Sequence, residues 1–217
     1  VLNNRIYAKW SNTDVEYAKP IVFNLTGTEE KFADDDAKEN VVGSSSLLSS
    51  LYIRNDSDRV WQKEVDTKSE ETFDYKMLIS NYSNSQNGGY KGIDIVNVLP
   101  VMGDISLNKQ GLRGTEFDGA KLDISRLSQV FKVPTGYEVK YYNGNKKINE
   151  LLDNGRTIDS IVDDTSLVAW DDAPSEDTKM IRIKAKAGTV LNKTESLELV
   201  IPMKAPSINN LNDAKLD

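Results

Sequence analysis

The chain has 217 residues with neither cysteine nor histidine, and its 34 acidic and 27 basic side chains give a formal net charge of −7. Without Cys and His, a Ser-His-Asp relay, a Cys-His pair and the common Cys/His zinc sites are excluded, so we expect no enzyme and no cofactor. The acidic balance argues against nucleic acid as a partner, and no apolar run approaches the ~20 residues of a membrane span.

Short stretches in which apolar and polar residues alternate dominate the sequence, and turn-forming residues separate them. A period of two is typical of half-buried strands. In chain order, the pattern predicts strands at 5–10, 20–26, 59–65, 72–81, 92–99, 136–142, 166–170, 179–185 and 196–203. Nine short strands favour an all-β, immunoglobulin-like β-sandwich.

Two of these segments define their faces clearly. Between residues 72 and 79 one face holds the large apolar side chains Phe73, Tyr75, Met77 and Ile79. In the segment 180–185 the apolar face holds Ile181, Ile183 and Ala185, opposite Met180, Arg182 and Lys184. These patterns predict sheets with one wet face.

Helix signals are few and short. They cover 124–130 and 148–152, the second with Asn145 as a candidate cap and Asn154-Gly155 as a candidate end. Neither supports a βαβ alternation, so a doubly wound fold is rejected.

Polar runs suggest the domain organisation. Asp34-Asp35-Asp36, the serine run at 44–46 and Asn55-Asp56-Ser57-Asp58 interrupt the apolar pattern. We therefore predict an N-terminal β segment or partial domain at 1–50, a sandwich module at 51–205 and a linker at 206–217. The start at Val1 suggests a piece of a longer, processed protein.

Several motifs between about residues 51 and 206 occur in an order typical of one family. They are Val60-Trp61-Gln62-Lys63-Glu64-Val65, the run at 73–81, Asn97-Val98-Leu99-Pro100 with the following Gly103-Asp104, Arg113-Gly114-Thr115, and the closing run at 199–206. This order resembles the repeated stalk module of wall-anchored surface proteins, the adhesins, of Gram-positive bacteria.

The resemblance implies an exported, immunoglobulin-like module held at the cell surface, outside the cell, as one of several in series. Its function would be adhesion or spacing, without catalysis. Its partners would be a host protein, a glycan or neighbouring modules of the same chain.

Such domains often carry a self-formed Lys to Asn isopeptide bond, which needs a low-dielectric pocket that depresses the pKa of the Lys amine. On the resemblance, Lys63 is the best placed nucleophile and Lys9 the next. Asn97 stands where the family would offer a catalytic Asp, and the closing strand has no Asn, so the triad is incomplete. The plainer alternative is that Lys63 snorkels at a sheet edge.

Two further kinds of site remain open. The acidic clusters Asp34-Asp35-Asp36, Asp163-Asp164 and Asp171-Asp172 could bind calcium, but they lack the spacing of an EF-hand loop and fit solvated loops better. The aromatic residues could stack on sugars, which keeps a carbohydrate-binding module as the alternative function, or could belong to the core. They are Trp10, Trp61, Trp170, Tyr137, Tyr141 and Tyr142.

Overall fold

A computed structural model describes the backbone of residues 5–11. It describes both the backbone and the side chains of residues 47–55, 58, 60–63, 65–82, 89–99, 101 and 120–207, except for the side chain of residue 154. The strands are β1 (Arg5–Ser11), β2 (Leu47–Asn55), β3 (Thr72–Asn81), β4 (Tyr90–Val98), β5 (Lys121–Leu122), β6 (Tyr137–Tyr142), β7 (Met180–Ala185), β8 (Val190–Leu191) and β9 (Ser196–Lys204). The helices are α1 (Ile124–Val130), α2 (Ile148–Leu151) and α3 (Ile158–Val162), with a 3-10 turn at Asp153–Gly155.

The strands form two sheets. Sheet A has the order β1-β4-β7-β6, with β8 also paired to β4, and sheet B has the order β2-β3-β9-β5. Every strand pair is antiparallel. The prediction of an all-β sandwich is therefore confirmed.

The main core lies between the two sheets. The predicted apolar face of β3 is fully buried there, and Ile93, Ile95, Ile181 and Ile183 of sheet A belong to the same cluster. Burying each such side chain contributes about 1.5–3 kcal/mol. The core from Leu47 to Ala205 thus holds both sheets without a disulfide.

Part of the outer face of sheet A is buried as well, which corrects the prediction of a wet face at Met180 and Arg182 of β7, whereas Lys184 on the same face is exposed. Met180 is 1% exposed and Arg182 is 7% exposed. A second apolar cluster covers this face, built from the strand residues Val96, Val98, Tyr142 and Met180 and from Ile148, Leu151, Leu152, Ile158, Ile161, Val162 and Val168. The two short helices α2 and α3 supply most of this cover, which the pattern within β7 alone cannot reveal.

Arg182 ties α3 to sheet A. Its Nε donates to Oδ1 of Asp94 at 2.8 Å, its Nη1 donates to the Val162 carbonyl at 2.9 Å, and its Nη2 donates to both Asp94 and Asp163. Burial alone would lower the pKa of Arg182, but the hydrogen bonds to the two carboxylates raise it above its ordinary value. The guanidinium therefore stays charged across the whole accessible pH range.

The predicted segments at 5–10, 72–81, 92–99, 136–142, 179–185 and 196–203 correspond to strands, and both predicted helices are present. Two predicted strands are wrong. Among the described residues of 59–65, Gln62 makes an isolated bridge to β2 and no residue belongs to a strand. The segment 166–170 forms turns and irregular backbone, with Val168 buried under the helices. The predicted strand at 20–26 lies outside the described residues.

The helix ends and the domain boundaries also differ in detail from the sequence expectations. Lys147, rather than Asn145, is the N-cap of α2. The predicted boundary after residue 50 falls inside β2, and β1 pairs with β4 in sheet A. Since residues 12–46 and 208–217 lie outside the described part, a separate N-terminal unit and a C-terminal linker stay predictions.

Candidate functional site

A cluster of cations and aromatic rings occupies the outer face of sheet B. Tyr52 pairs with Lys76 and Arg54 pairs with Asp74 across β2 and β3. Directly paired residues of antiparallel strands point to the same face, and the inner face is the apolar one. Trp61 and Lys63 reach this face from the segment after β2. We name Tyr52, Arg54, Trp61, Lys63 and Lys76 the outer-face cluster.

The position of Trp61 and Lys63 depends on one backbone bridge. Gln62 exchanges two hydrogen bonds with Ile53 of β2, at 2.8 and 2.9 Å. This bridge holds the flanking residues against the edge of sheet B, although the segment forms no continuous strand.

Each ring of the cluster lies under two cations. The Arg54 guanidinium carbon is 4.3 Å and the Lys76 amine 4.7 Å from the Trp61 ring centroid. The Lys63 and Lys76 amines are 4.5 and 5.2 Å from the Tyr52 centroid. Each contact lies within the ~6 Å of a cation–π interaction, worth about 0.5–1 kcal/mol at an exposed site. The rings therefore hold the cations in place.

A single buried carboxylate balances part of this charge. Asp74 is 1% exposed. It accepts hydrogen bonds from Arg54 and from Arg126 of α1, each at 3.1 Å. Among the described residues of this arrangement, cations thus outnumber carboxylates, although the chain as a whole is acidic. The cluster can attract an anionic or ring-bearing ligand to this face.

Lys63, the predicted isopeptide nucleophile, is exposed. Its amine donates to the Leu51 carbonyl at 3.0 Å and lies over the Tyr52 ring. The isopeptide reaction requires an amine that is buried in a low-dielectric pocket, whereas the Lys63 side chain is exposed. Lys9 pairs in register with Asp94, and its side chain lies outside the described part. The isopeptide assignment stays a prediction.

Asn97, which on the resemblance stands where the family would offer a catalytic Asp, is a buried polar residue. It is 0% exposed. It follows Ile95 and precedes Leu99, both in the main core, so strand alternation directs it between the sheets. In the described part of the chain neither its Nδ2 nor its Oδ1 makes a hydrogen bond. An orphaned buried amide costs about 1–3 kcal/mol and needs an explanation.

Most of the other aromatic residues singled out in the sequence contribute to packing. Tyr137 and Tyr141 are in the main core and Tyr142 is in the second cluster. Trp170 is half-buried, and its Nε1 donates to the Val162 carbonyl at 2.8 Å. The side chain of Trp10 lies outside the described part.

The described acidic pairs engage protein groups. Asp163 accepts from Arg182, Asp164 accepts from the Ser166 backbone and hydroxyl, and Asp172 pairs with Lys140. Among the described residues no group of three or more acidic side chains could hold a metal ion. Asp34-Asp35-Asp36 lies outside them, so calcium binding there stays a prediction.

No family model matches the chain, and neither a curated protein nor a solved structure matches it. Within the described residues, no helix is long and apolar enough to cross a membrane.

Proposed function

We propose that this chain is a non-catalytic structural and adhesive module of a bacterial cell-surface protein, with an immunoglobulin-like sandwich that presents or spaces a binding region. Its place would be outside the cell, in a protein anchored to a Gram-positive cell wall through another part. Its partners would be a host protein, a glycan or neighbouring modules. The observation that carries the proposal is the strand register of sheet B.

That register suits a mechanical role. β2 and β9 flank β3 and both run antiparallel to it, so they run parallel to each other. The chain enters β2 at Leu47, opposite Asn81, and leaves β9 at Lys204, opposite Thr72. These positions lie at opposite ends of β3.

Tension between the start of β2 and the end of β9 therefore runs along the strands. It loads the ladder hydrogen bonds on both sides of β3 together, because β2 and β9 would have to slide past β3. Each ladder holds nine register pairs. Tension across the strands would instead open the same bonds one after another.

Single-molecule pulling between introduced cysteines tests the proposal, since the chain has no native cysteine. Leu48→Cys with Lys204→Cys pulls along the strands. Leu48→Cys with Ser196→Cys is the matched control, because both positions flank Ser80 in one row. We expect a several-fold higher unfolding force for the first pair. Equal forces would overturn the load-bearing role.

The intact mass of the folded chain tests the isopeptide bond separately. A mass lower by one ammonia, traced by digestion to a Lys–Asn pair, would add a covalent support to the ladder. An unmodified mass removes the crosslink and leaves the hydrogen-bonded register as the load path.

A carbohydrate-binding module is the second candidate, because Tyr52 and Trp61 share one sheet face with cations between them. A glycan-array screen with wild type, Trp61→Ala and the control Tyr82→Ala tests it. Tyr82 is 56% exposed and lies outside the outer-face cluster. Binding that Trp61→Ala abolishes and Tyr82→Ala preserves would favour this function, and the absence of any glycan binding would remove it.

A further inference from the structure

The Lys76 amine of the outer-face cluster makes neither a hydrogen bond nor an ion pair within the described residues. It lies instead against two aromatic rings, 5.2 Å from the Tyr52 centroid and 4.7 Å from the Trp61 centroid. The buried carboxylate of this face, Asp74, is engaged by two arginines. Since an anion stabilises a half-buried ammonium, the Lys76 amine is a candidate partner for an anionic group of a ligand.

The acidic side chains of this face leave Lys76 without a counter-charge. Besides Asp74, the strand register places Glu198 of β9 on the same face, opposite Leu78 and one row from the Lys76–Val200 pair. Within the part of the chain that the structure describes, no ion pair joins Glu198 to Lys76. The surface around Lys76 is therefore locally cationic, in a chain whose net charge is −7.

A second lysine lies against the Tyr52 ring, whose centroid is 4.5 Å from the Lys63 amine. Lys76 is the cross-strand partner of Tyr52 on β3. Lys63 comes from the opposite side, where Gln62 bridges Ile53 along the edge of β2. In strand order, the segment after β2, β2 itself and β3 thus contribute a cation, a ring and a cation. A short oligosaccharide is long enough to contact all three.

Rings and ammonium groups side by side fit a sugar that carries a carboxylate. The apolar C–H face of a sugar ring packs against an aromatic ring, and a carboxylate accepts charge-assisted hydrogen bonds from lysine. Tyr52 and Trp61 are both half-buried, so part of each ring is accessible. An acidic peptide would use the cations without the rings. A sheet face also contacts an extended chain better than a small ligand, which a concave site encloses.

The net charge of the protein limits the charge density of such a ligand. A polyanion with a charge on every unit, such as nucleic acid or a heavily sulfated polysaccharide, meets repulsion from a chain of net charge −7. A polysaccharide in which carboxylate-bearing sugars alternate with neutral sugars meets less repulsion and still supplies an anion to the local cations. The charge balance therefore favours a sparsely charged polysaccharide.

We propose that the outer-face cluster binds an acidic polysaccharide in which carboxylate-bearing and neutral sugars alternate. Tyr52 and Trp61 contact the sugar rings, and Lys63 and Lys76 pair with the carboxylates. The inference rests on carbohydrate binding, the second candidate under the proposed function, and names its ligand class. Because the contacts are few and the face is open, the dissociation constant is ~0.1–1 mM.

Isothermal titration calorimetry with hyaluronan oligosaccharides, whose carboxylates lie on alternate sugars, tests the proposal. Lys76→Met removes the charge and keeps the length of the side chain, and Lys76→Arg keeps the charge. Lys184→Met is the matched control, because it removes the same charge from an exposed lysine of sheet A. We expect Lys76→Met to raise the dissociation constant about tenfold. Lys76→Arg and Lys184→Met should change it less than about twofold.

Three further polymers separate the ligand classes. Neutral chitin oligosaccharides present sugar rings without charge, poly-L-glutamate presents carboxylates without sugar rings, and heparin presents a dense charge. We expect each to bind more weakly than hyaluronan. Hyaluronan binding should itself weaken as the salt concentration rises, because salt screens exposed charges. If circular dichroism shows that Lys76→Met does not fold, these comparisons on the unmodified chain decide.

The proposal is overturned by an absence of hyaluronan binding, by equal binding of poly-L-glutamate or heparin, or by equal losses in Lys76→Met and Lys184→Met. Binding of neutral oligosaccharides that equals hyaluronan binding, and that Trp61→Ala abolishes, would overturn the acidic ligand class and preserve carbohydrate binding. The unfolding force between the introduced cysteines depends on neither result. Failure of this inference is therefore distinguishable from failure of the load-bearing role.

Discussion

Replacing Arg182 by methionine should destabilise the fold strongly. The side chain of Arg182 is 8% exposed and that of Asp94 12% exposed. Methionine keeps the volume but leaves the Asp94 carboxylate and the Val162 carbonyl without the guanidinium. Breaking a buried ion pair in this way costs about 3–5 kcal/mol. At about 2–4 °C per kcal/mol for a chain of this size, the midpoint should fall by roughly 6–20 °C.

Thermal and urea unfolding followed by circular dichroism measure this loss. Lys184→Met is the control, because its amine is 3.9 Å from Asp94 and its side chain is 47% exposed, so we expect a loss of about 1 kcal/mol or less. The double variant Arg182→Met with Asp94→Asn should recover part of the stability, since no buried charge is left. A loss within about 1 kcal/mol for Arg182→Met, or a double variant less stable than the sum of the single losses, would refute the reasoning.

Two further predictions concern buried polar groups. Asn97→Leu should raise the free energy of unfolding by about 1–3 kcal/mol, because it removes an unsatisfied amide. Asn81→Leu should lower it, because the Asn81 amide donates to the Leu191 carbonyl at 2.9 Å. Urea denaturation compares the two variants, and a loss of stability in both would contradict the prediction for Asn97→Leu. Burial raises the pKa of Tyr137 and Tyr141 above the ordinary 10.0, so their contribution to stability is complete below the unfolded value and is lost as pH rises through the folded one. Melting curves from pH 8 to 12 should fall less steeply for the variant with both tyrosines changed to Phe, and an unchanged slope would contradict this.

The sequence predicted β3 well because this strand meets the simple condition that alternation assumes. From Phe73 to Ile79 its inner face is apolar and its outer face is mostly polar, so the period is visible. The alternation did not predict β2. Its inner Leu47 and Leu51 are neighbours of outer Leu48 and of two serines, which hides the alternation although the register to β3 is regular. Strand pairing, rather than local pattern, defines β2.

The pattern of β7 shows a different limit. The alternation within β7 predicts that Arg182 lies on a wet face, whereas its partner Asp94 lies 88 positions earlier in the chain. A sequence pattern reports the side of a strand on which a residue lies. It does not report what packs on that side, here α3 and its carbonyl at Val162. The same limit applies to Trp61, whose cation contacts depend on the pairing of β2 with β3.

The effect of Asn97→Leu connects the packing of the core with the proposed crosslink. The resemblance puts Asn97 in the place of the acid that assists a Lys to Asn bond. If such a bond formed with the help of Asn97, leucine would prevent it and the variant would lose stability. If the amide only sits unsatisfied between the sheets, leucine fills the same space without a desolvation cost and stability rises. The two readings predict opposite signs for the change in the free energy of unfolding, and the intact mass distinguishes the same two readings independently. Agreement between a lower mass and a destabilised variant would therefore place the load path in the core, whereas an unmodified mass and a stabilised variant would assign it to the ladders of β3.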